Sequence, residues 1–389
     1  MIPLINFNSQ NNIYRKKILS GINKNLKKGD FILGNNVSLL ENKIIKYVNA
    51  KYCVTCSSGT DALLMSLMAY NVKAGDIIFT TAYSYISTAE VIKILGAIPV
   101  FVDIDPRTYN IDPIKLQDTI QNIKKKIFKP HISKILKNKN KINLRGIIAV
   151  NLFGNPIDYE KINKIAKQNN LFLVEDAAQS FGSKYKKKLS GTLGDISCFS
   201  FYPTKSLSCY GDGGAITTNN KKIYKILRSI RIHGRSEISG NFERIGITGR
   251  LDTIQATVLI EKLKNFKSEQ KSRKRIAEIY QDGFKKTKNI KIQKIERYAV
   301  STFSVFSLEF SSTKLRNEKI NKLKKNKIGY NIYYKKPMHL EKVFSNLGLK
   351  KNSFPVSEKL SRNILSIPID PYMSKKDVKK IISIINDKK

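Results

Sequence analysis

From residue 52 to residue 179 the apolar positions of the chain fall into two alternating rhythms. Short, nearly continuous apolar runs, "KYCVTCS", "DIIFTT", "IPVFVDID", "GIIAVNLFG" and "LFLVEDAAQ", predict buried strands. Between them "GTDALLMSLMAYNVK", "SYISTAEVIKILG" and "DYEKINKIAKQNN" place apolar residues at helical spacing. Strand and helix in succession predict an α/β fold, with a parallel or mostly parallel sheet covered by helices on both faces. Ligands of such sheets bind beyond the carboxyl ends of the strands. The residues that follow each strand are therefore the ones to read for chemistry.

The pattern changes after residue 220. "KKIYKILRSIRIHG" is helical, and "LDTIQATVLIEKLKNFKSEQKSRKRIAEIYQDGF" predicts one long helix or a broken pair, of a kind that often bridges two domains. Beyond it "FSVFSLEF", "LRNEKINKLKKNK" and "KKDVKKIISIIND" predict a smaller α+β unit. The expected division is a large domain over 1–265, including the N-terminal segment, and a small C-terminal domain over 266–389. A chain of 389 residues is long enough to give both a core. Residues 123–145, "IKKKIFKPHISKILKNKNKINLR", break the rhythm with a basic stretch that lacks clean periodicity, and they read as a surface excursion.

Charge changes this picture less than its size suggests. The chain carries 71 basic and 30 acidic residues, a net +41. Attraction to nucleic acid, anionic lipid or a phosphorylated substrate is one reading. However, the excess is mostly lysine, dispersed, and accompanied by frequent isoleucine and asparagine, as in proteins encoded by AT-rich DNA. No nucleic-acid-binding motif accompanies it, so compositional drift is favoured and a nucleic-acid partner is not expected. The start "MIPLINFNSQ" lacks the basic and apolar regions of a signal peptide, and no apolar run is long enough to span a bilayer, so a cytoplasmic protein is expected. Cys53 and Cys56 have C-x-x-C spacing, but no histidine lies near and a strand would point them to opposite faces; structural thiols and no metal site are expected.

Three strand ends carry candidate chemistry. In "SSGTDALLM" a helix opens at Gly59 and Thr60, where free backbone N–H groups suit a phosphate, or where an ordinary helix cap suffices. In "LFLVEDAAQS" Glu175 and Asp176 end a buried strand; one of them should face a cation, unless the aspartate only caps a helix. In "DISCFSFYPTKSLSCYGDGGAITT" a strand runs into a turn ending on Lys205, and a second strand returns. A lysine is usually solvated, but an amine in such a pocket can act as a nucleophile. Together a phosphate-binding helix start, a buried acid and a pocketed amine are what pyridoxal phosphate requires.

These motifs, with "FILGNNVSLLE" near the start and "NILSIPIDPYMS" near the end, resemble the DegT/DnrJ/EryC1/StrS sugar aminotransferases of the aspartate-aminotransferase fold type I. The resemblance implies that Lys205 is the Schiff-base lysine and proton shuttle, and that Asp176 pairs with the pyridinium nitrogen. Gln179 would reach the 3-hydroxyl, and Gly59, Thr60 and Ser200 would hold the phosphate. Tyr83, in "TTAYSYIST", would stack on the pyridine, its other reading being a core tyrosine. A homodimer with its active site at the subunit interface is implied, as are an amino-acid donor, foremost glutamate, and a nucleotide-linked keto-sugar acceptor.

A finer resemblance is to the branch acting on UDP-2-acetamido-2-deoxy-3-oxo-glucuronate, in surface polysaccharide assembly. There the region matching "RIGITGRLDTIQA" reaches into the neighbouring subunit. Arg250 would grip the sugar carboxylate with its planar fork, or else form a structural salt bridge. Thr248 stands where that branch has an asparagine on the cofactor phosphate, and its reach is shorter. His339 matches a histidine near the sugar or its diphosphate, with a packing role as the alternative. Amination of another nucleotide keto-sugar at C3 or C4 is the competing reading, and a basic nucleic-acid-binding protein with a vestigial site is the more distant one.

Overall fold

The computed structural model describes residues 1–127 and 143–387. Seven strands form the central sheet: β1 (Tyr52–Cys56), β2 (Asp76–Thr81), β3 (Ile98–Val102), β4 (Asn143–Val150), β5 (Phe172–Asp176), β8 (Ile196–Ser200) and β9 (Gly214–Thr218), in the spatial order β1-β9-β8-β5-β4-β2-β3. From β8 to β3 all pairings are parallel. β9 is antiparallel to both β8 and β1. The reason is local. A parallel return needs a crossover, usually helical, and residues 201–213 contain no helix, so the chain doubles back beside β8. Lys205 lies in that return.

Helices cover both faces. α1 (Phe7–Lys28), α2 (Asn35–Val48) and the first half of α8 (Thr253–Phe284) lie on one side, where Leu40, Ile44, Leu259 and Phe266 share a core with Phe199 and Phe201. On the opposite face α3 (Gly59–Ala69), α4 (Ser87–Ile94) and α7 (Lys221–Ile230) share another, in which Leu63, Val91 and Leu227 meet Ile78 and Ile196. α3 is apolar nearly all round because it is buried nearly all round. Cys53 and Cys56 fall in different cores, one on each face of the sheet, as a strand requires of residues three apart. α5 (Pro113–Lys124), capped by Asp112, and α6 (Tyr159–Gln168) cover the far end of the sheet.

The long segment after residue 252 is one helix, α8, of 32 residues. Its second half packs Ile276, Tyr280 and Phe284 against a second unit. That unit contains the sheet of β10 (Ile290–Ile292), β12 (Phe306–Phe310) and β13 (Ile364–Ile367), with α9 (Thr313–Lys325), α10 (Pro355–Asn363) and α11 (Lys375–Asn386). A small third sheet joins β6 (Lys184–Tyr185), β7 (Lys188–Leu189) and β11 (Ala299–Val300). The division expected at 265/266 falls inside α8, just ahead of Phe266, which still packs in the first core, while Ile276 packs in the second. Ile2 packs in the second unit's core, although the sequence groups it with the first. Of the basic stretch 123–145, the ends belong to α5 and β4, and 128–142 lie outside the described residues. Among the described residues, no helix is long and apolar enough to cross a membrane.

Candidate active site

The carboxyl ends of β1, β2, β4, β5 and β8 meet at a cavity of about 810 Å³. Gly59, Thr60, Asp176, Gln179, Ser200 and Lys205, read separately from the sequence, all line it. Ser58 caps α3 by accepting the N–H of Asp61 at 3.0 Å, and the first-turn amides of Gly59 and Thr60 have no partner within the helix. Gly59 also lies hard against the end of β8. A β-carbon there would lie 2.6 Å from Cβ of Ser200, so the absence of a side chain brings the helix start and Ser200 together.

Glu175 and Asp176, adjacent on β5, solve their burial differently. Among the described residues Glu175 has no cation. Its carboxylate accepts from Asn151 (3.0 Å), Ser190 (2.5 Å), Ser197 (2.6 Å) and the backbone amides of Gly191 (3.0 Å) and Leu193 (3.1 Å). Asp176 points the other way, to the cavity. Its Oδ2 accepts from Thr88 Oγ1 at 2.8 Å and its Oδ1 from the Ala178 amide at 3.2 Å. Desolvation still raises its pKa above the usual carboxylate range, against the pull of these donors and of Lys205. Burial likewise lowers the Lys205 amine below the ordinary lysine value, with Asp176 pulling it back. Thus Asp176 is the acid that faces a cation.

Gln179 is held at both ends: its Oε1 accepts the Phe153 amide at 2.6 Å, and its Nε2 donates to the hydroxyl of Tyr334 at 2.9 Å. The sequence reading of Tyr83 needs correction. Tyr83 is fully buried, and its hydroxyl donates to the Tyr333 carbonyl (2.8 Å) and accepts the Tyr334 amide (2.7 Å). It has no face to offer a ligand. Tyr85, two residues on, is 57% exposed and lines the cavity together with Tyr334. Thr88, Tyr85 and Tyr334 were missed in the sequence because each is defined only by a distant partner.

Thr248, Arg250 and His339 do not line this cavity. Thr248 is exposed and its hydroxyl is 2.9 Å from His233 Nε2. Arg250 is partly buried, its Nε has no partner among the described residues, and it joins none of the described ion pairs. His339 is a second correction. It is 1% exposed, packs edge-on against Phe354 and faces Glu358 at 3.2 Å, so in this chain it is a packing residue behind the cavity wall. Desolvation lowers its pKa, which favours the neutral ring.

A sheet of this topology with an amine, an acid and a helix start at one set of strand ends defines a cofactor-dependent transferase. The chain belongs to the DegT/DnrJ/EryC1/StrS aminotransferase family, whose model matches residues 12–386. It is 35% identical to the UDP-2-acetamido-2-deoxy-3-oxo-D-glucuronate aminotransferase of Pseudomonas aeruginosa, over the full length of both chains. It is 34% identical to the dTDP-3-amino-3,6-dideoxy-alpha-D-galactopyranose transaminase of Aneurinibacillus thermoaerophilus, over 99% of each. A crystal structure of a family aminotransferase from Brucella abortus superimposes with a TM-score of 0.91 at 36% identity, covering 99% of this chain and 98% of that one. The protein is therefore a pyridoxal-phosphate-dependent sugar aminotransferase.

The residues present fit that cofactor. The Gly59–Ser200 approach leaves a cradle that a β-carbon would fill, and the Lys205 amine is engaged by no hydrogen bond among the described residues. When bound, pyridoxal phosphate supplies an aldehyde for nitrogen and an electron-withdrawing ring.

Proposed function

We propose that the protein moves an amino group from glutamate to the 3-oxo carbon of UDP-2-acetamido-2-deoxy-3-oxo-glucuronate, as a homodimer, in the assembly of a surface polysaccharide. Lys205 would hold the cofactor, and its amine, when free, would carry a proton to and from the substrate carbon. Its lowered pKa keeps a larger share of the amine in the neutral form that accepts a proton. Asp176, fixed by Thr88, keeps the ring nitrogen protonated, and Gly59, Thr60 and Ser200 take the phosphate. Gln179 would hold the ring's 3-hydroxyl, and Tyr85, open to the cavity, would take the stacking role first read for Tyr83.

The observation that carries the substrate assignment is Arg250. A guanidinium whose buried Nε has no partner among the described residues, and which does not line its own subunit's cavity, supports a role toward a second copy of the chain. Exposed apolar residues lie by the start of α8, which follows Arg250, and by the cavity. Phe31 and Ile32 are bonded or bridged to the start of α8, Tyr210 is tied to Gln255, and Tyr202 stands at the cavity rim. Such a patch on a symmetric dimer would bring Arg250 of one subunit to the cavity of the other. Thr248 travels with it. Similarity to the Pseudomonas aeruginosa relative over full length supports a uronate, and a carboxylate is what a planar guanidinium binds with two hydrogen bonds.

Arg250→Ala is expected to raise KM for the uronate by roughly fiftyfold, the loss of a charge-assisted pair, with the donor half-reaction intact. Unchanged uronate turnover would refute the carboxylate assignment and favour a different nucleotide keto-sugar.

A further inference from the structure

Just ahead of α1 the chain forms a wall of the active-site cavity. Leu4 and Ile5, both half-buried, line it from a strap that is fixed at each end. At one end Ile2 is buried beside Ile328 in a parallel bridge: its N–H donates to the Lys327 carbonyl at 3.0 Å, and the Gly329 N–H donates to the Ile2 carbonyl at 2.8 Å. At the other end the Asn6 N–H donates to Oδ2 of buried Asp370 at 3.0 Å, while the Asn6 side chain accepts from Ser9 and caps α1. Between these anchors Gly329 passes so close that a β-carbon there would lie 2.5 Å from the Leu4 nitrogen. No left-handed φ explains this glycine, so it is there for room.

The strap completes an apolar side of the cavity with Val305, Ile332, Ile367 and Ile369. Leu4 and Ile5 have nothing to offer the two carboxylates of a glutamate donor. A nucleotide-linked sugar is polar over most of its surface, and the apolar group that an N-acylated one adds is the acyl methyl. The structure assigns Leu4 and Ile5 the role of a specificity wall that takes this methyl. The assignment rests on the reading of the acceptor as a UDP-linked 2-acetamido sugar.

The test is binding of UDP-N-acetylglucosamine, UDP-glucose and dTDP-glucose to the full-length holoenzyme by titration calorimetry, for the wild type, the Leu4→Ala/Ile5→Ala pair and Gly329→Ala. The wild type is expected to prefer UDP-N-acetylglucosamine over UDP-glucose by about fourfold or more, the value of burying one methyl. Both variants, one trimming the wall and one displacing it, should lose that preference while retaining the visible absorbance of bound cofactor. Equal wild-type affinities for the two UDP sugars, or a preference that survives in both variants, would overturn the wall and leave the UDP reading standing. Tightest binding of dTDP-glucose would overturn the UDP reading, and the acyl assignment with it. Loss of cofactor absorbance in both variants would make the strap a part of the fold and not of the sugar site.

Discussion

Asp176 owes its place to Thr88, 88 residues earlier in the chain, whose hydroxyl donates to the buried carboxylate at 2.8 Å. That hydrogen bond favours the charged form, against a desolvation that raises the pKa. Thr88→Val should therefore raise the pKa of Asp176 further. The acid limb of the kcat/KM profile is expected to move to higher pH by about one unit, the worth of one hydrogen bond to a charge. A profile that stays in place would mean that Thr88 does not set the protonation of Asp176. Lys205→Ala should abolish transamination and alter or remove the visible absorbance of lysine-held cofactor; a variant that still turned over would displace Lys205 from its role.

At the scale of elements, two junctions decide the geometry. One is the start of α3 against the end of β8. Gly59→Ala must push the helix start off Ser200, since the new methyl would lie 2.6 Å from its Cβ. Cofactor affinity is expected to fall by tenfold or more, as read by dialysis and absorbance, at a stability cost of about 1–3 kcal/mol typical of overpacking. The other junction is the helix-free return 201–213. It is held from behind by Lys262 of α8, which is buried, donates to Gln10 (2.8 Å) and Ser208 (3.3 Å), and lies 4.2 Å from the Tyr210 ring centre. Desolvation lowers the pKa of this lysine to about 8. The loop carrying one lysine is thus braced by another that plays no part in the cavity.

At the scale of the whole molecule, the proposed dimer makes a prediction that single variants cannot. If Arg250 serves the neighbouring cavity, Lys205→Ala and Arg250→Ala damage the same site from different subunits. Mixing the two variants under exchange, assayed at a uronate concentration far below the raised KM of Arg250→Ala, would give heterodimers with one intact site each, and about a quarter of wild-type uronate activity should return by statistical mixing. No recovery, with exchange shown by mass spectrometry, would place Arg250 in its own subunit's site. The +41 charge is a different matter. Lys335 and Lys336 bring part of it to the cavity beside Lys205, whereas the lysines of α11 are exposed and away from it.

The sequence by itself determined the succession of strands and helices and, with it, the strand ends at which Gly59, Thr60, Asp176, Ser200 and Lys205 stand. Those residues were legible because each follows a continuous apolar run within a few positions, and the fold gathers the ends of such runs at one edge. It left α8 as one long helix or a broken pair, and the structure makes it one helix. Only the tertiary structure decided which side chains face the cavity. Tyr83 and Tyr85 are equivalent by pattern, but the backbone of residues 333–334 captures the hydroxyl of Tyr83 and leaves Tyr85 open. Glu175 and Asp176 are chemically alike and adjacent, yet one meets five neutral donors and the other a lysine. The reach of His339, the clamp of Thr88 and the strap of Leu4 and Ile5 had no local signature either. Burial and hydrogen-bond partners come from residues far apart in the chain, and periodicity along one segment carries no information about what the fold will set against it.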